Sequence, residues 1–259
     1  MNKPTKIKRL IYDLETSPMV VYTWRIGYKL SLTHDKIIRD SRIICACYKW
    51  EGEDTVHHLE WKKGDDKELC KKLMEVMNEA DELVAHNGDK FDMKIANTRF
   101  LANGLDPSPM WKTVDTLTIA RRHFRFDSNR LDFLGKFLFN EGKIQTNFTL
   151  WTDIVEKNCK KAMKMMVDYC KQDVILLEKV WHKLQPYHKP KSHLGCMNGG
   201  DKWLSPFTGS QNVIKTKTRI TAAGATQHQM KCKDSGGYYT ISDSAFKKYQ
   251  LWRLEQNQK

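Results

Sequence analysis

The sequence predicts an α/β protein, a mixed β-sheet flanked by helices over residues 1–186, followed by a small β-rich appendage over residues 187–259. Three observations carry this reading. Strand-like runs cluster early and then alternate with helical ones, as they do where helices cover a sheet. The segment "CKKAMKMMVDYCKQDVILLEKVWHKL" repeats its apolar residues at helical spacing. Beyond Pro186 and Pro190, Gly, Ser and Thr rise and the helical period fades.

Taken in order, "KIKRLIYDLET" reads as a strand broken by Ser17-Pro18, and "SRIICACYKW" and "DTVHHLEW" as two more, joined by the turn "EGED". "DDKELCKKLMEVMNEADE" places Leu69, Leu73, Val76 and Met77 on one helical face. "ELVAH" is a short buried strand, "GDKFDMKIANTRFLANG" a helix ended by Gly104, and "DPSPM" a loop. "KTVDTLTIARRHF" runs from strand to helix, and "SNRLDFLGKFLF" is a short helix opening on a Ser/Asn cap. On a wheel of the long helix, Met163, Met166, Val167, Cys170, Val174, Leu177, Trp181 and Leu184 form one apolar stripe. Tyr169 and Asp173 lie at its margin, and Asp168 faces solvent. The tail "FKKYQLWRLEQNQK" reads as a helix or a frayed end.

The net charge is +13, from 44 basic and 31 acidic residues. From Tyr187 onward, twelve Lys/Arg face four Asp/Glu. Such an excess favours a polyanionic partner, because each neutralised phosphate releases counterions. No window has the apolar length of a membrane span, and "MNKPTKIKRL" lacks a signal peptide's apolar core. Seven cysteines without a regular framework fit free thiols in a reducing compartment. The expectation is a soluble intracellular, cytoplasmic protein with no membrane partner.

Within the first strand, Asp13 and Glu15 are two residues apart and share a face. Two carboxylates there repel unless a cation sits between them. The motif by itself is weak: Asp66-Lys67-Glu68 repeats it in a lysine-rich stretch that reads as a solvated helix start. Asp173 is placed to be partly buried and so needs a cation or a donor. Asp92 follows Phe91 after the turn at Asn87, with Asp89 nearby as an alternative acid.

Together, "YDLET", "AHNGDKFDMK" and "DYCKQD" resemble the three motifs of the DEDD exonucleases of the ribonuclease-H-like fold, and the tyrosine resembles the DEDDy subgroup. The resemblance covers roughly residues 8 to 185 and includes "VDTLTIARRHF" and "SNRLDFLGKFL" between the second and third motifs. It implies a ribonuclease-H-like sheet and a 3′→5′ exonuclease acting on single-stranded DNA or RNA with a free 3′ end. Asp13, Glu15, Asp92 and Asp173 would hold two Mg²⁺ or Mn²⁺ ions, hard cations that prefer oxygen ligands. Tyr169 would align the attacking water, an easier task at neutral pH for a phenol than serving as base. Asn87 and Phe91 would position the terminal nucleotide, and Leu14 and Thr16 would touch its base or sugar. A ribonuclease-H-like endonuclease and an inactive nucleic-acid-binding module are the alternatives. Tyr169 speaks against the first, and the four acids speak against the second.

Arg121, Arg122, Arg125 and Arg130, interleaved with His123, Phe124 and Phe126, suit single-stranded substrate, where arginines hold phosphates and aromatics stack on bases. A solvated basic helix face with the phenylalanines in the core explains them equally. Lys160, Lys161 and Lys164 read as solvated.

In the appendage, "CMNGGDKW" and "MKCKDSGGYY" resemble the knuckles of a zinc ribbon, with one cysteine where the ribbon needs two. The expectation is a metal-free remnant that keeps the β shape, with Lys215, Lys217, Arg219, Lys231 and Lys233 as a nucleic-acid handle. A structural zinc held by His193, Cys196, His228 and Cys232 is the other possibility.

Overall fold

The computed structural model describes residues 6–27, 29–106, 110–142 and 146–258. They divide into two compact units, residues 8–185 and residues 186–258 with residues 6 and 7. Of the loop expected at "DPSPM", residues 107–109 lie outside the described residues.

In the first unit the elements are β1 (Arg9–Thr16), β2 (Val20–Val21), β3 (Ile37–Arg39), β4 (Ile43–Trp50), β5 (His57–Glu60) and α1 (Lys67–Asn78). They continue with β6 (Glu82–Ala85), α2 (Asp92–Ala102), β7 (Thr113–Asp115), α3 (Thr116–His123), α4 (Leu131–Phe139), α5 (Thr149–Val155) and α6 (Lys160–Leu184). Five strands form one mixed sheet in the order β5-β4-β1-β6-β7. β1 pairs antiparallel with β4 and parallel with β6, so it is the central strand. β2 and β3 form a separate antiparallel pair.

The alternation of β1 sends its side chains into two cores. Ile11 packs with Cys45, Cys47, Val84, Val114 and the stripe of α6. Leu10, Tyr12 and Leu14 pack with Ala46, Leu69, Leu73, Met77, Met93 and Phe100 beneath α1 and α2. The start of β1 is fastened by Arg9, which pairs with Glu82 at 2.7 Å and Glu51 at 2.8 Å. Its far end shifts register between Glu15 and Thr16, just before Pro18.

Two local expectations are corrected. Asp66 is not part of a solvated helix start. It is fully buried and accepts from Arg99 Nε and Nη2, from Asn103 and from the Ile43 N–H. A buried carboxylate needs such partners, and Arg99 on α2 lies beyond the reach of a local reading. The N-cap of α4 is Arg130 without a side-chain cap bond, and Ser128 accepts the Arg130 N–H instead.

The second unit contains α7 (Leu194–Met197), β8 (Val213–Ile220), β9 (Thr226–Cys232), β10 (Tyr238–Ser242) and α8 (Asp243–Asn257). Its sheet runs β10-β9-β8, all antiparallel. The inner face packs Val213, Met230, Cys232, Tyr239 and Ile241 against Ala245, Phe246 and Tyr249 of α8 and against Trp203. The C-terminal segment is therefore a helix, capped by the Ser242 hydroxyl on the Ala245 N–H.

Candidate active site

Asp13 and Glu15 project from the α6 side of the central strand, opposite Cys47 and Cys45 of β4. Asp173 descends from α6, whose apolar stripe fixes the helix on that face of the sheet. Ligand oxygens of Asp13, Glu15 and Asp173 all lie within 4.8 Å of one another. Asp173 is only 1% exposed. Three carboxylates this close repel unless positive charge joins them. The donor set is all oxygen, which fits a hard divalent cation such as Mg²⁺ or Mn²⁺. Beneath them the Cys170 thiol faces Asp13, with Sγ 3.5 Å from the backbone oxygen and 3.7 Å from Oδ2. Burial and the neighbouring thiols of Cys45 and Cys47 push Cys170 well above its ordinary range, so it stands as a donor. Tyr169 is half-buried one helical turn before Asp173, at the edge of the same core.

Asp92 approaches from the other helical layer. It opens α2, is 2% exposed, and accepts the Leu14 N–H at 3.2 Å, between the two acids of β1. It therefore borders the trio without belonging to the group whose oxygens meet within 4.8 Å. Asp89 is exposed. The turn that delivers Asp92 is tightly built. Asn87 takes the left-handed conformation at φ 66°, which asparagine tolerates better than most residues. A Cβ on Gly88 would lie 2.5 Å from that of Ala85, so only glycine fits there. Tyr12 lies below, and burial first, then Asp92, Asp89 and Asp13, push its phenol well above its ordinary value.

Two residues that sequence reasoning missed hold this end of the sheet. Asp115, at the end of β7, caps α3 by accepting the Leu117 and Thr118 N–H groups, and it also accepts the Asn87 N–H at 2.9 Å. His86 donates Nε2–H to the Asn129 carbonyl at 2.9 Å, and its Nδ1 lies 2.9 Å from Thr116 Oγ1. An Asp before a helical period was the available signal for the first, as an N-cap; nothing local marks the second. The carboxyl ends of the parallel strands β1, β6 and β7 thus carry the site, where open α/β sheets place their ligands.

A hollow of about 560 Å³ opens here, lined by His86, Asn87, Arg121, Asn129 and Arg130 among others. It brings together three of the expected substrate contacts, Asn87, Arg121 and Arg130. Arg122 and Arg125 are exposed and do not line it. Phe91 is 44% exposed beside Asp92. Phe124 and Phe126 stack on each other with centroids 5.1 Å apart and pack against the core, so the core explanation describes them. The Leu14 side chain is 3% exposed and packs in the α1–α2 core, on the face of β1 away from the carboxylates. Thr16 is half-buried, and its carbonyl accepts the Trp151 Nε1–H at 3.1 Å.

The zinc ligands considered for the appendage do not converge. His228 and Cys232 are four residues apart on β9, about 13 Å of strand. The His228 nitrogens lie 3.2 Å from Thr218 Oγ1 and 3.1 Å from Asp243 Oδ1, and His193 Nδ1 accepts the Cys196 N–H. Among the described residues, Asp13, Glu15 and Asp173 are the one group of such side chains placed to hold a metal ion. No helix among them is long and apolar enough to cross a membrane.

A family model described as the RNase_H superfamily matches residues 38–185, which include Asp92, Tyr169 and Asp173 and begin after Asp13 and Glu15. No curated protein sequence matches the chain. Among solved structures, the fold is similar to the family B DNA polymerase of the hyperthermophilic archaeon Pyrobaculum calidifontis, with a TM-score of 0.54 at 15% identity. That similarity covers 71% of this chain and 25% of the polymerase, so the chain spans only a quarter of its length.

Proposed function

The chain belongs to the RNase H superfamily, and on that premise we propose that it is a metal-dependent 3′→5′ exonuclease of single-stranded nucleic acid. The observation that carries the proposal is the acidic trio Asp13, Glu15 and Asp173, gathered within 4.8 Å with Tyr169 one turn before Asp173. Asp13, Glu15 and Asp173 would hold one divalent cation, and Asp92 would complete a second position from the α2 layer. Bound there, such ions lower the pKa of water and offset charge on the phosphate and the leaving oxygen.

The reaction is a hydrolysis. Water forms a bond to the terminal phosphorus as the bond to the preceding 3′ oxygen breaks. The products are a nucleoside 5′-monophosphate and a chain one residue shorter with a free 3′-hydroxyl. Within it the Tyr169 phenol would orient the water, Asn87 and Phe91 would seat the terminal nucleotide, and Arg121 and Arg130 would neutralise the phosphates behind it. DNA is favoured as substrate and RNA fits as well. The domain assignment belongs to the same proposal: residues 1–186 carry the nuclease, and residues 187–259 are an accessory segment.

The test uses single-stranded DNA and RNA labelled at the 5′ end, incubated with Mg²⁺ or Mn²⁺. Ladders that shorten one nucleotide at a time from the 3′ end, and vanish in Asp13→Ala, are expected. Internal cuts as the first products, or no metal-dependent cleavage of either polymer, would overturn the proposal.

A further inference from the structure

The second unit has a sheet face of its own. On β9, His228, Met230 and Cys232 are buried, which leaves Gln227, Gln229 and Lys231 on the opposite face. The register extends that face across the sheet, placing Arg219 of β8 opposite Gln227 and Tyr238 of β10 opposite Lys231. These two rows are four residues apart, about 13 Å along the strands. Residues of the 189–206 segment wall the face into a hollow of about 980 Å³. Lys189, Lys191, Lys202 and Arg219 line it, and no carboxylate does among the described residues.

Four cations around a hollow without an acid call for a polyanion. The surrounding sequence strengthens the field, since residues from Tyr187 onward carry twelve basic side chains against four acidic ones. Charge alone would suit any phosphate. Tyr238 narrows the choice. Its ring is 51% exposed, and Lys231 Nζ stands 5.3 Å from the ring centroid. An exposed aromatic ring with a cation over one face is a platform on which an unpaired base stacks from the other, with the adjoining phosphate held by the surrounding charge. A duplex hides the faces of its bases within the stack and offers this tyrosine nothing.

We infer that this hollow binds single-stranded nucleic acid, with Lys189, Lys191, Lys202 and Arg219 on the phosphates and Tyr238 stacked on a base. The site lies within the second unit. It shares with the proposed function only the class of polymer and does not depend on hydrolysis.

The full-length chain is titrated, in EDTA and over a series of salt concentrations, into fluorescein-labelled oligothymidylate and oligouridylate, with a duplex of the same length as control. Tyr238→Ala weakens binding to single strands about tenfold, and Tyr238→Phe retains it. The combined substitution Lys189→Ala, Lys202→Ala and Arg219→Ala lowers the salt slope by about two. Hydrolysis is read separately with Mn²⁺, and the expected losses of affinity support the site even where no cleavage occurs. Variants that bind like the wild type, absence of oligonucleotide binding, equal affinity for duplex, or displacement by polyglutamate as effective as by oligonucleotide would each overturn it.

Discussion

Arg99 grips Asp66 with two nitrogens, Nε to Oδ2 at 2.7 Å and Nη2 to Oδ1 at 2.8 Å, and so ties α2 to the residue just before α1. The pair is buried on the acid side and 14% exposed on the arginine side. Removing one partner of such a pair leaves an uncompensated charge.

Asp66→Ala is expected to cost about 3 kcal/mol, the lower end for a buried pair because Arg99 keeps some contact with water. In a unit of this size that lowers Tm by about 6–12 °C. The pH dependence follows from the carboxyl. Burial alone would raise it, but Arg99, the Ile43 N–H and Asn103 outweigh burial and hold it below its ordinary value. The contribution is therefore complete above about pH 4 and is lost as pH falls through the lowered value. Urea midpoints of wild type and Asp66→Asn should differ at neutral pH and converge in acid; a constant gap would contradict this.

Stripped of divalent ions, the acidic trio is a source of instability, because its carboxylates repel. Asp13→Asn should raise Tm in EDTA by about 2–4 °C, the equivalent of about 1 kcal/mol. Mg²⁺ or Mn²⁺ should stabilise the wild type and leave the variant nearly unmoved. Scanning calorimetry with and without metal reads both effects independently of catalysis. The same variant should lose more than about a hundredfold in cleavage rate, since even partners of ligands cost 10–100-fold.

Tyr169→Phe separates orientation from base catalysis. A general base contributes about 10²–10⁴-fold. An orienting phenol predicts a fall in kcat below about a hundredfold, an unchanged KM and an unmoved pH–rate profile. Loss of the rise in rate with pH, the limb on which a base must first give up its proton, would assign proton transfer to the tyrosine.

Asp115 holds two turns at once, the cap of α3 and the Asn87 bend that leads to Asp92. Asp115→Ala should cost about 2 kcal/mol, the upper range for a lost cap, because a third N–H is orphaned as well. Activity at saturating metal should fall more than stability explains, since Asn87 and Asp92 lose their support. Chemical denaturation and steady-state rates on the same preparation check the pair of effects.

What the sequence disclosed follows the range of the interactions. The stripe on α6 is a local property, and every one of its residues from Met166 to Leu184 is buried. The mixed sheet with its flanking helices was legible for the same reason, as alternating runs with recognisable stops. Asp66 was misread because its partners, Arg99 and Asn103, are more than thirty residues away. The side that Leu14 faces is set by the two-residue period of the strand, whereas a motif names residue types alone. His86 leaves no local trace at all, since its place is defined by Asn129 across the fold. Of the two knuckle-like segments, "MKCKDSGGYY" keeps strand and turn whereas "CMNGGDKW" ends a short helix and runs into turns, and His228 and Cys232 are spread along one strand beyond the span of a single ion.

The distance along the chain between the two halves of the acidic cluster has a consequence for the protein's biosynthesis. Asp13 and Cys170, which touch in the folded protein, are 157 positions apart in sequence. Ribosomes add about 5–20 residues each second, so β1 waits on the order of 10–30 s for the helix that completes its site. During that interval a growing chain carries only Asp13 and Glu15 of the trio. The cluster proposed to hold metal is therefore complete only once most of the first unit has been made.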